Sequence, residues 1–386
     1  MKCRLEDICI KITDGSHFSP KNDMNSDIPM LSVKDMLEFE FNYENCKHIS
    51  SGDYEIMVHQ DCVPKKFDIL VAKDGSYLKE IFVNEEENKK AILSSIAIFR
   101  PNMELVNPYF LCYLLKTPSV MKYTKENCVS GSALPRIILK AFKDIEIEIP
   151  EITYQNKIAR IIKNINDKII LNNKTNDNLY EIIKLKFNNW VDNLESYTKT
   201  NLSSIANYKN GLAMQKYRPI GEEGLPVIKI KEMNSGLSND TERCSSDIDK
   251  DVIVNDGDVL FAWSGTLCMT IWCNGKAGLN QHIFKVTSEK FPKWFYYCWT
   301  LKHLDKFIQI AAGKATTMGH IKRNELDNAE VLLPDHNEIL KMDKIMAPIL
   351  EKYIENLKEN KRLEQLRDTL LPKLMKGEID LEKIKI

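Results

Sequence analysis

The stretch IPMLSVKDM, from Ile28 to Met36, returns as LPVIKIKEM, from Leu225 to Met233. DILVAKDGS (Asp68–Ser76) returns in the same order as DVLFAWSGT (Asp258–Thr266). Each half then passes through a glycine-containing loop to a strand-like EIEIP or EVLLP, ending at Pro150 and Pro334. A repeat this long is not a solenoid; it is two copies of one domain-plus-helix unit. Two similar domains on one chain imply one molecule that reads two places on a target.

Within each copy, short bursts of alternating apolar and polar residues, such as IEIEI and SSIAIF, are separated by Gly and Pro. This predicts strand-rich mixed domains over 1–150 and 196–334, with two or three short helices in the first. One of these covers 107–117, and Pro292–Leu301 is its counterpart. Neither half alternates strand and helix as a nucleotide-binding α/β fold does.

After Pro150 the period changes. Ile158, Ile162, Ile165, Ile169, Asn172, Asn176, Leu179, Ile183, Lys186 and Trp190 step by three and four, as in a coiled-coil seam. Met342, Met346, Ile349, Tyr353, Asn356, Asn360, Leu363, Arg367, Leu370 and Leu374 do the same, each 184 residues beyond its counterpart. Asp335 followed by Glu338 fits an N-terminal capping box. Pro348 costs about 3 kcal/mol inside a helix but suits a first turn. The expectation is therefore a short helix after each of Pro150 and Pro334, breaks near 165–167 and 346–348, then long helices of roughly 24–28 residues, about 40 Å each.

Asparagines stand at the same two places in both seams. An antiparallel pairing sets Asn172 against Asn360 and Asn176 against Asn356; a parallel one would also match Asn with Asn. Topology favours antiparallel, because the second domain leaves the end of one helix and enters the start of the other. The fold expected is α+β: two similar mixed α/β domains separated by an antiparallel pair of long helices, a pseudo-two-fold internal repeat. The boundaries are 1–150, 151–195 (central helical region), 196–334 and 335–386 (C-terminal helical region). Buried polar layers of this kind lower stability and can fix register, although an exposed position for some of the asparagines stays open.

The 386 residues are 43% hydrophobic and 28% charged, ordinary globular material. No apolar run approaches the roughly 20 residues of a membrane helix, and MKCRLEDICI lacks a signal-peptide core. The ten cysteines form no CxxC pair or regular framework, which favours reduced thiols and a cytoplasmic location. With a net charge of −1, contact with nucleic acid must come from local patches.

Motifs for catalysis are sparse. Gly313-Lys314-Ala315-Thr316 lacks the upstream glycine and the hydroxyl residue of a phosphate-binding loop. NPYF at Asn107–Phe110 lacks the second proline of the NPPY/F loop of amino-methyltransferases, and Asn-Pro suffices to start a helix. The seven histidines show no metal spacing. No catalytic residue and no metal ligand is assigned. What remains are polar loops around glycines. His17 and Lys21 flank Gly15; Lys73, Tyr77 and Lys79 surround Gly75; Arg136 and Lys140 follow Gly131. In the second half Trp263 and Thr266 flank Gly265, Gln281 and His282 follow Asn280, and Lys314, His320, Lys322 and Arg323 follow Gly313. Lys and Arg neutralise phosphates, while Gln, Asn, His and Arg read base edges in the major groove.

These features together resemble the specificity subunit of a Type I restriction–modification system. The likeness covers essentially the whole chain, and PEITYQNKIARIIKNINDKI is similar to that family's conserved region after its target-recognition domains. The second copy lacks the glutamine that Gln155 supplies in the first, and the first has SSIAIF where the second has NQHIF (Asn280–Phe284). The resemblance implies that each domain reads one half of a bipartite, asymmetric site in double-stranded DNA. It implies helices that act as a ruler and dock two modification subunits. Those partners would bind S-adenosylmethionine and methylate adenine, with no cofactor in this chain and no membrane contact; a restriction subunit would translocate and cut. A 40 Å spacer compares with roughly 34–36 Å between half-sites one duplex turn apart. Two other readings compete: a DNA methyltransferase dominated by its recognition half, and a structural adaptor that joins proteins without touching DNA.

Overall fold

The computed structural model describes residues 1–75, 77–131, 135–221, 223–313 and 319–381. Its contacts divide the chain into two units, Met1–Asp167 with Gln365–Ile386, and Lys168–Glu364. Each contains a strand-rich domain and a share of two long helices, Ile152–Asp192 and His336–Met375.

In the first unit the strands Cys9–Asp14, Ile96–Pro101, Ile69–Ala72 and Ile81–Val83 form an antiparallel sheet in that order. A second sheet places Ile28–Leu31 between Lys47–Ile49 and Ala91–Ile92, the last pair parallel. In the second unit Asn207–Asn210, Ile283–Thr287, Val259–Ala262 and Cys268–Ile271 repeat the first sheet. Leu225–Ile228, between Arg243–Cys244 and the parallel Ala277–Leu279, repeats the second, with Ile253–Val254 added at its edge. The paired strands Lys2–Arg4 and Glu146–Glu148 have their equivalent in Thr198–Asn201 and Glu330–Leu333. The motif first read as a repeat is thus repeated structure: a central buried strand followed by a tight turn. The buried carboxylates of Asp35 and Glu232 accept the backbone N–H of Ser32 (2.8 Å) and Lys229 (3.1 Å) at that turn.

The helices that follow differ for a local reason. Asn107 caps Pro108–Leu115 by accepting the N–H groups of Tyr109 (2.9 Å) and Phe110 (3.1 Å). Pro118 then interrupts and restarts the helix as Pro118–Asn127, since proline offers no N–H and crowds the turn before it. The second unit has Lys302 at the matching place, and Lys293–Ala312 runs unbroken.

The long helices differ from the sequence expectation in continuity. They are single elements of 41 and 40 residues with no break at 165–167 or 346–348. Pro348 lies inside the second helix on its exposed side, as does Lys344, whose carbonyl the proline leaves without its usual helical N–H. Met346, Leu350 and Ile354 are meanwhile buried on the inner face. Burying each such side chain contributes about 1.5–3 kcal/mol, enough to offset the proline. The seam also drifts: Phe187 is buried where Lys186 is exposed, and Leu350 and Ile354 are buried while Ile349 and Tyr353 are half-buried. A 3.6-residue turn slips against a 3.5-residue repeat, and here the helices also cover the second unit's aromatic core of Trp294, Phe295 and Trp299.

The helices pack antiparallel. In the second unit Asn172 Nδ2 donates to Asn360 Oδ1 (2.8 Å) and Asn356 Nδ2 to Asn176 Oδ1 (2.9 Å). All four asparagines are buried. Asn172 also donates to Glu359 (2.8 Å), Asn360 to Asn173 (2.7 Å), and Asn176 to the Tyr353 carbonyl (3.2 Å). Further along, Trp190 Nε1 donates to Glu338 Oε1 (3.2 Å). The expected capping box is only half formed. Asp335 does accept the Glu338 N–H (2.9 Å), but the Glu338 carboxylate turns to Trp190 and Lys341. In the first unit Ile158 and Ile162 pack with Leu370 and Leu374, in the same sense.

Gln155 is fully buried where the first helix begins. Its amide donates to the carbonyls of Leu105 (3.1 Å) and Pro150 (2.9 Å) and accepts the Asn107 N–H (3.0 Å). The matching residue of the second copy is the buried Ile339.

Removing one seam amide strands its partner without water. Asn360→Ala should therefore cost about 1–3 kcal/mol in urea unfolding. Replacing Asn172 and Asn360 together by leucine should recover most of that loss, because no polar group is then left unpaired between them.

Candidate nucleic-acid interface

In both units the ends of the strands converge on one set of loops, held by the same backbone bonds. The N–H groups of Gly15 and Gly211 donate to Ile96 (3.0 Å) and Ile283 (3.1 Å). Those of Ser16 and Leu212 donate to Ile92 (2.8 Å) and Leu279 (2.9 Å). Lys73 N–H donates to Ser95 (2.8 Å) as Trp263 N–H does to His282 (3.2 Å). Gly75 and Gly265 donate to Pro135 and Gly319, and Ile137 and Ile321 donate to Lys73 and Trp263. Single bridges join Asp74 to Arg136 and Ser264 to His320. The scaffold is common; the side chains on it are not.

A glycine is required at one of these points in each copy. A Cβ on Gly15 would run into the carbonyl oxygens of Ile92 and Leu93, and one on Gly211 into those of Leu279 and Asn280. The close approach seats the end of the first sheet strand against the second sheet.

The first unit carries charges here. Lys73 is buried, with Nζ 3.3 Å from Asp14 and 3.2 Å from Asp74, so its charge is compensated internally rather than offered to solvent. Asp14 also meets His17 Nε2 at 3.3 Å, and that imidazole is 77% exposed. Arg136 is exposed on a short strand beside them. Tyr77 is half-buried against the core, Lys79 is exposed next to Glu80 (3.6 Å), and Lys21 and Lys140 are exposed a few residues further along the chain.

The second unit is aromatic. Trp263 Nε1 donates to Asn210 Oδ1 (2.9 Å). Its ring stacks on Phe284 at 5.7 Å and stands 5.9 Å from His282, whose Nε2 is 3.3 Å from the Gln281 amide. His320 is joined alongside through Ser264, and Thr266, Lys322 and Arg323 are exposed on the flanking loops. Arg323 donates to the Tyr208 carbonyl (3.4 Å). Lys314 lies outside the described residues. Sequence reading missed Asp14, Asp74, Ser95 and Asn210. The signal was there for two of them, because Asp14-Gly15 and Asn210-Gly211 each end a strand ahead of the repeated core.

Among the described residues nothing here resembles a reaction centre. All ten cysteines are free thiols, and burial pushes Cys9 up to about 12 and Cys273 up to about 11, far from thiolate at neutral pH. Among the described residues no three His, Cys, Asp or Glu side chains stand together as metal ligands, and no helix is long and apolar enough to cross a membrane. Amide, imidazole, indole, hydroxyl and guanidinium groups on loops are what base edges and phosphates require. The fold and site define a recognition protein carrying two copies of one polar-looped domain on antiparallel helices.

Comparison with known proteins gives that class its name. The family profile described as the Type I restriction modification DNA specificity domain matches residues 1–181 and 195–368. The chain belongs to this family and is a DNA specificity subunit of a Type I restriction–modification system, the non-catalytic component of such a complex. Relatives include the Type I restriction enzyme MjaIX specificity subunit of Methanocaldococcus jannaschii, 25% identical over 93% of this chain and 88% of its own. The HindI specificity subunit of Haemophilus influenzae is 21% identical over 88% of this chain and 96% of its own. Among solved structures, the S subunit of a Type I system from M. genitalium shares the fold with a TM-score of 0.57. It is 16% identical, covering 97% of this chain and 95% of the other.

Gly211→Ala should lower the urea midpoint by the equivalent of about 1–3 kcal/mol through forced overpacking. Gly52→Ala, where the new Cβ meets only Ser50 Oγ at 3.9 Å on a helix, should leave it unchanged or slightly higher. Equal effects from the two would argue against the close-approach role.

Proposed function

We propose that residues 1–150 and 196–334 are two target-recognition domains, each reading one half of a bipartite, asymmetric site in double-stranded DNA. The helical regions 151–195 and 335–386 are the docking surface for two methyltransferase subunits. The reading is carried by one observation: identical backbone bonding in the two loop sets supports different side chains. A common scaffold with exchanged side chains is what two different half-sites demand, since sequence is read by side-chain edges and position by backbone contacts.

Within this reading His17, Arg136, Gln281, His282 and His320 face base edges. Lys21, Lys79, Lys140, Lys322 and Arg323 face phosphates, Lys314 is assigned the same role from its place in the sequence, and Tyr77 and Thr266 line the same loops. Lys73 and Trp263 act from inside the loops. The four seam asparagines, Asn172, Asn176, Asn356 and Asn360, hold the helix register on which docking depends. S-adenosylmethionine belongs to the partner subunits, which methylate adenine, and a restriction subunit joins the same assembly to translocate and cut.

Exchanging residues 1–150 for the matching domain of a relative should change one half of the methylated sequence and leave the other intact, as read by methylome sequencing of cells that carry the complete system. Alteration of both halves would contradict independent reading. DNA binding by the assembled complex should fall steeply between 50 and 200 mM salt, by roughly 10³-fold if about six phosphates are neutralised. A flat salt response, measured by titration of labelled duplex, would favour an adaptor that does not grip DNA.

A further inference from the structure

We infer that Asp14–Lys73 in the first unit and Asn210–Trp263 in the second are equivalent positioning braces that aim the DNA-reading side chains, and that their differing chemistry helps to separate the two half-sites. The inference rests on the recognition reading above and assigns these four residues a role beyond it.

Asp14 and Asn210 each end the first strand of the four-stranded sheet, and Lys73 and Trp263 each follow its third strand directly. The scaffold brings these positions together in both copies. The contact is an ion pair in one (3.3 Å) and an indole-to-amide hydrogen bond in the other (2.9 Å). Neither is needed to close the loops, because backbone bonds from residues 73, 75 and 137, and from 263, 265 and 321, already do so.

A buried ammonium is an expensive way to fill space, since desolvating it must be offset by well-placed carboxylates. Lys73 stands at ion-pair distance from two carboxylates, Asp14 (3.3 Å) and Asp74 (3.2 Å), and Asp14 passes its other oxygen outward to the exposed His17. The order is buried cation, bridging carboxylate, exposed imidazole. In the second unit the order is buried Phe284, half-buried Trp263, then His282 and Gln281, with Asn210 fixing the indole from the side. Each brace therefore runs from the core to the groups placed to meet a base, one by charge and the other by ring packing. An electrostatic brace holds its reader in a fixed direction through an acceptor. An aromatic brace holds a wall against which an imidazole and an amide lie.

The test uses the complete chain assembled with its methyltransferase subunits. Affinities are measured at fixed salt for the cognate duplex and for duplexes with single substitutions across both half-sites, beside urea unfolding of each variant. Lys73→Met and Asp14→Asn should each reduce discrimination at base pairs of one half-site at least tenfold, with the other half-site unchanged. The double variant should be no worse than either single, since the two act as one unit. Lys73→Arg should restore part of the discrimination. Trp263→Phe, which keeps the ring and removes the N–H, should weaken discrimination in the other half-site only. If Lys73→Met proves unstable, Trp263→Phe and Asp14→Asn carry the test. Folded variants with unchanged discrimination, losses spread over both half-sites, or additive losses in the double variant would each overturn the braces while leaving the recognition reading intact. A wild-type complex with no bipartite preference would remove both.

Discussion

The buried amides between the long helices constrain the rest of the molecule. An amide taken out of water must meet a group of opposite sense or lose its full desolvation cost, about 1–3 kcal/mol for each one stranded. Asn172 donates to Asn360 and Asn356 to Asn176, while Glu359, Asn173 and the Tyr353 carbonyl take up further bonds; the buried Asn356 Oδ1 meets no donor. A slip of one residue would break all of these at once. Residues 336–364 belong with the domain that precedes them, and Gln365 onward with the unit of the N-terminal domain. A stretch of Leu or Ile at these positions would have been stickier and less specific.

A second constraint is steric. Gly15 and Gly211 let a strand end press on the carbonyls of the neighbouring sheet, and the polar loops are hung from that junction. The same bonds recur in both units although few side chains match. Backbone geometry is thus the part the two units share and side-chain chemistry the part in which they differ. Divergence has reached the interior as well. Gln155 closes the helix start with three hydrogen bonds where Ile339 fills the same place with hydrocarbon, and Pro118 splits a helix that Lys302 leaves whole.

Much of this was legible in one dimension. Repeated strings, the change from a two-residue to a three-and-four-residue period, and asparagines at matched offsets are local signals. They established two mixed domains and an antiparallel helix pair, and excluded familiar catalytic motifs. The antiparallel sense needed only the order of elements along the chain. What escaped was whatever depends on which face a neighbour covers. Pro348 reads as a break because proline removes a hydrogen bond; the helix continues because that residue faces water while Met346, Leu350 and Ile354 are buried. Lys186 and Phe187 could not be ranked without knowing that the helix there also packs on Trp294 and Trp299.

The loops show the same division. By itself the sequence determined that two copies of a polar, glycine-bearing loop set exist, because residue type and spacing are written in the chain. Only the tertiary structure decided which of those residues meet. It turned Lys73 inward between Asp14 and Asp74, brought Asn210 to the Trp263 indole across more than fifty residues of chain, and set His282 against that ring. The reason is physical: the cost of burying a charge or an N–H is settled by partners that are distant in sequence, and the sheets choose those partners.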